Sequence, residues 1–205
     1  MNNLEQFIND NELCDWDPLV KMAVIHHQFE SIHSFYDGNG RTGRIINILY
    51  LVKEGLLNLP ILYLSRFINQ HKADYYRLLQ KVRTENAWEE WTLFILDGVE
   101  QTSLLTIKTI DGIKTLMKNH KERIRTELPT IYSQDLLNNL FRHPYTKIDF
   151  VMTETGVSRK TAAKYLDELD KLGIVSKQKI WKDNYYINLD LFKLLKNVSA
   201  IYPDK

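Results

Sequence analysis

Apolar residues along this chain recur mostly at helical spacing. Leu19, Met22, Ala23, His26, Phe29 and Ile32 fall on one face of a 3.6-residue period. They begin just behind Asp17-Pro18, where a carboxylate can cap the helix and a proline suits its first turn. The pattern predicts a helix that runs into Ile32 and stops before Asp37-Gly38-Asn39-Gly40, a cluster with strong turn chemistry. A second helix is predicted near Arg41, with Ile45, Ile48, Leu49 and Val52 on one face and Gly55 just past its end. Three more helical patterns cover roughly residues 64–83, 86–103 and 105–125.

Leu128-Pro129 marks the expected domain boundary, dividing the chain into 1–128 and 129–205. Beyond it, helices are predicted around Ser133–Phe141 and Lys147–Glu154. Gly156-Val157-Ser158 then forms a turn whose serine caps a further helix ending at Leu172-Gly173. Two short strand-like runs follow, Ile174–Ile180 and Tyr185–Leu189, joined by Lys182-Asp183-Asn184.

Composition narrows the classes. In a chain of 205 residues, 44% hydrophobic content suffices for a buried core, and a formal charge of +1 gives no overall attraction for polyanions. The charge is uneven, however: residues 130–205 carry 12 basic and 9 acidic side chains, whereas residues 1–129 carry 15 and 17. A mildly basic C-terminal part points weakly toward a nucleic-acid partner there. With Cys14 as the one cysteine, no intrachain disulfide can form. The densest apolar stretch, Ile45 to Val52, is broken by Asn47 and too short for a bilayer, and the first residues do not read as a signal peptide. A cytoplasmic location away from membranes is expected.

The densest chemistry lies between His33 and Arg44. Gly38 and Gly40 open backbone angles that let successive N–H groups converge on an anion, and the start of the following helix adds its positive end. Arg41 and Arg44, three residues apart, can both reach a polyphosphate. Asp37 offers a hard oxygen suited to Mg²⁺. His33 is available as a general base near neutral pH. Phe35 is expected to pin the loop to the core, and His26 and His27 are read as structural. Gly38-Asn39-Gly40-Arg41-Thr42-Gly43 also satisfies G-x-G-x-x-G, but a helix rather than a strand precedes it and no acid stands about twenty residues on, so a dinucleotide fold is set aside. The P-loop ending is absent as well.

His33 through Arg44 resembles the signature of Fic (filamentation-induced-by-cAMP) domain proteins, H-x-F-x-[D/E]-G-N-G-R-x-x-R, at every fixed position; Ser34 replaces the usual proline. The stretch Leu62–Arg83 and the Trp88-Glu89-Glu90-Trp91 helix are also similar, and the C-terminal part resembles the winged-helix domain attached to many bacterial members. The fold class implied is mainly α: a Fic-type helical core followed by a winged helix-turn-helix. The implied activity is transfer of AMP from ATP to a Ser, Thr or Tyr hydroxyl of a target protein. In that scheme His33 deprotonates the hydroxyl and Asp37 holds Mg²⁺. Asn39 and the amides of Gly38, Gly40, Arg41, Thr42 and Gly43 cradle phosphates, Arg41 and Arg44 neutralise the β- and γ-phosphates, and Tyr76 lines the adenine pocket. The opening residues resemble the region just past the inhibitory helix and hairpin flap of longer members. Arg44 is accordingly expected to lack an inhibitory carboxylate, and transfer to a foreign target to be poor.

Gly156 through Leu166 reads as the turn and recognition helix of a helix-turn-helix, with Ala162, Leu166 and Leu169 inward and Arg159, Lys160 and Lys164 as candidate DNA contacts. Contact with protein rather than DNA is the plain alternative. The rival function is a DNA-binding regulator with a nucleotide-sensing Fic-like domain. Transfer of UMP or phosphocholine, the target protein and homo-oligomerisation stay open.

Overall fold

The computed structural model describes residues 1–10 and 12–200, with side chains to 196; residues 201–205 of the expected second domain lie outside the described residues. It is mainly helical. Residues 1–106 form one compact unit and the residues from 107 another.

The first unit contains α1 (Asn2–Asn9), α2 (Pro18–Ile32), α3 (Asn39–Lys53), α4 (Ser65–Gln70), α5 (Lys72–Glu85) and the first half of α6 (Trp88–Glu127). Asp17 caps α2 as expected, its Oδ1 accepting from Leu19 N–H at 2.8 Å with Pro18 in the first turn. Burial reaches well beyond the expected stripe of α2. Met22, Ala23, Ile25 and Phe29 lie in the apolar core, and Lys21, His26, His27 and Glu30 are buried too. Around α2 pack Tyr50, Leu51, Phe67, Tyr75, Trp91 and Ile95. The Trp91 indole donates to the Ala23 carbonyl at 2.8 Å, so burying the largest side chain leaves no unpaired donor.

Three elements differ from the sequence expectation. The helix after the loop starts at Asn39, and its buried positions are Asn39, Gly43, Asn47, Ile48, Tyr50 and Leu51, whereas Ile45 and Leu49 are more than half exposed. Side-chain size explains the choice: the face bearing Gly43 and Asn47 admits α2 closely, which the face bearing Ile45 and Leu49 would not. The pattern over 64–83 is two helices that meet at His71. Those over 86–103 and 105–125 form the single helix α6, because the polar run Glu100-Gln101-Thr102-Ser103 contains neither proline nor glycine to end it. The expected boundary at Leu128-Pro129 coincides with the end of α6, while the division between compact units falls inside that helix.

The second unit adds α7 (Gln134–Arg142), β1 (Tyr145–Thr146), α8 (Ile148–Thr155), α9 (Arg159–Lys171), β2 (Ser176–Ile180), β3 (Asp183–Ile187) and α10 (Leu189–Ala200). The strands form an antiparallel sheet in the order β1-β3-β2, with Lys177 opposite Tyr186 and Thr146 on that tyrosine's other side. Ser133 and Ser158 cap α7 and α9 through their hydroxyls, and Gly156 ends α8 in the left-handed conformation. Ala162, Leu166 and Leu169 point inward as expected, joining Ile124, Leu136, Leu137, Leu140, Val151 and Tyr186 in one core. The helix-turn-helix and the hairpin thus occur in the expected order. Strand β1 and helix α10 were not anticipated.

None of the described helices is long and apolar enough to cross a membrane.

Candidate active site

The site is built where α2 stops. Ile32 is the last helical residue, and His33 closes the helix with left-handed backbone angles (φ 53°, ψ 51°), its N–H still donating to Phe29 O at 3.2 Å. A non-glycine residue in that region is uncommon and strained. Here it turns the chain abruptly and leaves the imidazole exposed at the helix end.

Between His33 and α3 the loop is held by Asn39, not by Phe35. Phe35 is about half exposed (49%), touching Phe29 at a ring separation of 6.3 Å. Asn39 is 3% exposed and clamps the backbone of Phe35 from both sides, accepting from its N–H at 2.9 Å and donating to its carbonyl at 2.6 Å. A buried amide must find such partners, and the loop backbone supplies them. The expected anchor is therefore corrected: the two bonds from Asn39 fix the loop, and the half-exposed Phe35 ring meets Phe29 at its side.

Gly38 (φ 87°) is the N-cap of α3 and brings no side-chain cap. Its carbonyl accepts from the N–H of Thr42 at 2.9 Å and from the Thr42 hydroxyl at 3.1 Å. The first-turn amides after it have no helical carbonyl to bond. Asp37 uses one oxygen to accept from Gly38 N–H at 2.7 Å and the other to meet Arg41 at 3.2 Å. That ion pair is largely solvated and holds the residues only weakly.

A cleft of about 520 Å³ opens at this point, within the size range of small-molecule sites. Of the residues singled out from sequence it brings together His33, Asp37, Gly38, Asn39, Gly40, Arg41, Arg44 and Tyr76. Thr42 and Gly43 are not among its lining residues. Gly43 is buried against α2, where an added Cβ would lie 3.2 Å from Phe29 Cδ1 and 3.3 Å from His26 Cε1. Tyr76 is exposed at the cleft, whereas Tyr75 beside it is buried.

Glu30, Lys72 and Arg83 also line the cleft, and the sequence reading passed over all three. Glu30 stands three residues before His33, a spacing that puts it on the same helix face. Lys72 and Arg83 come from α5, and nothing in their local sequence announces the approach.

Behind the cleft is a buried polar seam. His26 Nε2 lies 3.0 Å from the Tyr75 hydroxyl, and His27 Nε2 lies 3.1 Å from Leu79 O. Burial pushes His26 down to about 3, with Arg44 acting in the same direction, so its imidazole is neutral at ordinary pH. Burial raises Glu30 above the usual carboxylate range, against the opposing pull of Arg44 and His33. Burial also raises Tyr75. Glu30 Oε1, Arg44 Nε and both amide atoms of Asn47 are buried without a hydrogen-bond partner, while His26 also interacts with the Gly43 backbone.

No cluster of three or more metal-ligating side chains exists among the described residues. The exposed carboxylate of Asp37 fits Mg²⁺ only as one ligand among phosphate and water oxygens, the way that ion is usually held beside nucleotides. The candidate DNA contacts of the second unit are neutralised in part. Arg159 pairs with Asp149 at 2.5 Å and Lys164 approaches Glu168 at 3.8 Å; Lys160 is exposed.

Residues 1–51 match the Fic/DOC family, and residues 116–191 match the family described as protein adenylyltransferase SoFic-like, C-terminal domain. Over 102 residues the chain is 32% identical to "Protein adenylyltransferase Fic" of Aedes aegypti and 29% identical to the protein of that name from Drosophila erecta. Each match covers 50% of this chain and 19% of the relative, so the chain spans about a fifth of the length of these curated relatives. A solved Fic family protein from Desulfovibrio desulfuricans G20 superposes with a TM-score of 0.47 at 20% identity, covering 90% of this chain and 53% of that one.

Proposed function

We propose that this chain, which carries a Fic/DOC-family domain and a SoFic-like C-terminal domain, is a protein adenylyltransferase that moves AMP from ATP to a Ser, Thr or Tyr hydroxyl of a target protein. The observation that carries this reading is the cleft itself: one imidazole, one exposed carboxylate, an uncapped helix start and three arginines, Arg41, Arg44 and Arg83, around about 520 Å³.

Each group has a task. His33 takes the proton of the incoming hydroxyl, whose oxygen bonds to the α-phosphorus. The bond from that phosphorus to the oxygen bridging to the β-phosphate breaks, and pyrophosphate leaves with both electrons. Arg41 and Arg44 offset the charge that gathers on the leaving group, and the first-turn amides of α3 hold phosphate oxygens. Asp37, whose contact with Arg41 is solvated, would hold Mg²⁺, and the ion would supply neutralisation of phosphate charge. Asn39 keeps the loop in shape from below, and Tyr76 offers an aromatic wall for the base. Catalysis here is positioning and charge compensation, with no covalent enzyme intermediate.

The test is incubation with labelled ATP, GTP, UTP and CTP in the presence of Mg²⁺ and cell lysate, followed by mass spectrometry of the modified proteins. AMP on a hydroxyl side chain, absent when Mg²⁺ is chelated, supports the reading. UMP or another group in its place changes the donor, and no modification by any donor refutes transferase activity for this chain.

A further inference from the structure

Glu30 has no part in the scheme above, yet the fold goes to some length to keep it where it is. It is 8% exposed, it lines the cleft, and its Oε1 has no hydrogen-bond partner. An unpaired buried carboxylate costs stability, and the neutral glutamine, of nearly the same shape, would remove most of that cost. Packing therefore does not account for a carboxylate at this position.

Its surroundings supply a reason. Helices α2 and α3 approach so closely at Gly43 that an added Cβ would lie 2.7 Å from Glu30 Oε1. At Gly40, one turn earlier, an added Cβ would lie 3.2 Å from Arg44 Nη1 and 3.8 Å from Glu30 Oε1. Two glycines thus clear the space through which carboxylate and guanidinium face each other. Both groups are short of partners, since Arg44 Nε is also buried and unbonded. No carboxylate among the described residues forms an ion pair with Arg44 within 4.0 Å, so the attraction is at longer range and leaves the guanidinium available.

We propose that Glu30 is a positioning residue acting through Arg44: its carboxylate holds the guanidinium turned into the cleft, presenting it to the terminal phosphates of a nucleoside triphosphate. This rests on the reading of the cleft as a nucleotide site. The sign of the effect separates it from simple electrostatics. A carboxylate that merely shares a cleft with phosphates repels them, and its neutralisation tightens binding. A carboxylate that orients the phosphate-binding arginine weakens binding when neutralised.

The experiment is calorimetric titration of the full chain with ATP, ADP and AMP in Mg²⁺, comparing the unaltered protein with Glu30→Gln, Arg44→Gln and the double variant. Glu30→Gln is expected to weaken ATP about tenfold, the scale on which supporting residues act through the residues they orient, and to change AMP less than about twofold. In the Arg44→Gln background the same change is expected to do nothing further, because the two act as a unit. The melting temperature of Glu30→Gln is expected to equal or exceed that of the unaltered chain; a merely structural role predicts a fall. Tighter ATP binding, equal losses for ATP and AMP, or additive losses in the double variant each overturn the proposal. Should Glu30→Gln fail to fold, Glu30→Asp keeps the charge on a shorter arm, and a loss confined to ATP and ADP is the supporting result, whereas an equal loss for AMP overturns it. If the unaltered chain does not bind ATP, the nucleotide reading falls and this one with it. If it binds ATP and Glu30→Gln is indistinguishable, only this one falls.

Discussion

The loop between α2 and α3 and the turn between α8 and α9 are made of similar parts, a helix end, a glycine and a second helix start, yet they spend their polar groups differently. At α9 the start is closed: Ser158 Oγ accepts from Thr161 N–H at 3.2 Å, and Arg159 is tied to Asp149. At α3 the start has no side-chain cap, and Glu30 and Arg44, which line the cleft beside it, each keep a buried polar atom without a partner. In the second unit, by contrast, the buried Thr146 hydroxyl donates to Asn139 at 2.6 Å, and the Asn188 amide donates to Leu140 O at 3.2 Å. Away from the cleft the unpaired buried atoms are isolated ones, Ser65 Oγ in the first unit and His120 Nδ1 in the second. Those of Glu30 and Arg44 belong to residues that line the cleft, where a ligand can complete them.

The largest test of that contrast is at His33. His33→Ala is expected to lower AMP transfer by about 10²–10⁴-fold, the usual cost of losing a general base, while ATP affinity measured by titration stays within about twofold. An equal loss of affinity would move His33 from the hydroxyl to the phosphates.

Gly43→Ala sharpens the comparison from the packing side. The new Cβ would meet Glu30 Oε1 at 2.7 Å, and overpacking of this kind costs about 1–3 kcal/mol. Chemical denaturation should show that loss, together with weaker ATP binding because Glu30 is displaced. By comparison Gly156→Ala meets nothing within 4 Å and pays only for its left-handed backbone.

The pH dependence of stability should carry the mark of the seam. His26 is neutral in the folded chain and takes up a proton when unfolded. Its contribution is therefore complete above about pH 6.5 and is lost as the pH falls toward 3, by at most about 1.4 kcal/mol per pH unit. His27 and His120 are shifted in the same direction and Glu30 in the opposite stabilising sense, since burial raises its carboxyl. The difference in slope between the unaltered chain and His26→Phe isolates the one imidazole. Identical slopes would mean that His26 reaches water.

The smallest effect is expected on the closed side. Arg159→Ala should change stability by less than about 1 kcal/mol, as solvated pairs do. Reversing Lys160 and Lys164 together should leave transfer untouched. If the unaltered chain binds DNA in a salt-sensitive way in a gel shift, that reversal should remove the binding; without such binding, protein contact is the better use of this surface.

Much of this was legible in the sequence where one residue decides the outcome. Asp17-Pro18, Ser133 and Ser158 start helices through local bonds, and the spacing of Ala162, Leu166 and Leu169 fixes a buried stripe. The compact motif likewise announced the cleft from His33 to Arg44. Illegible were the features settled by tertiary contact. Periodicity alone favoured Ile45 and Leu49 as the inner face of α3, because it weighs greasiness and not how near another helix must come. The break imagined near Ser103 had no chemistry to enforce it. Lys72 and Arg83 reach the cleft from a helix that follows a loop and a short helix, and Glu30 carried no sign beyond its distance from His33.

The left-handed backbone at His33 has a consequence for what selection would do to this chain. Glycine or asparagine would occupy that position with less strain. A library chosen only for resistance to heat should therefore drift to glycine or asparagine at 33 and away from a carboxylate at 30, while a library chosen for transfer should hold both. Two short rounds of mutagenesis and sequencing would then write the division between folding and function directly into residue frequencies.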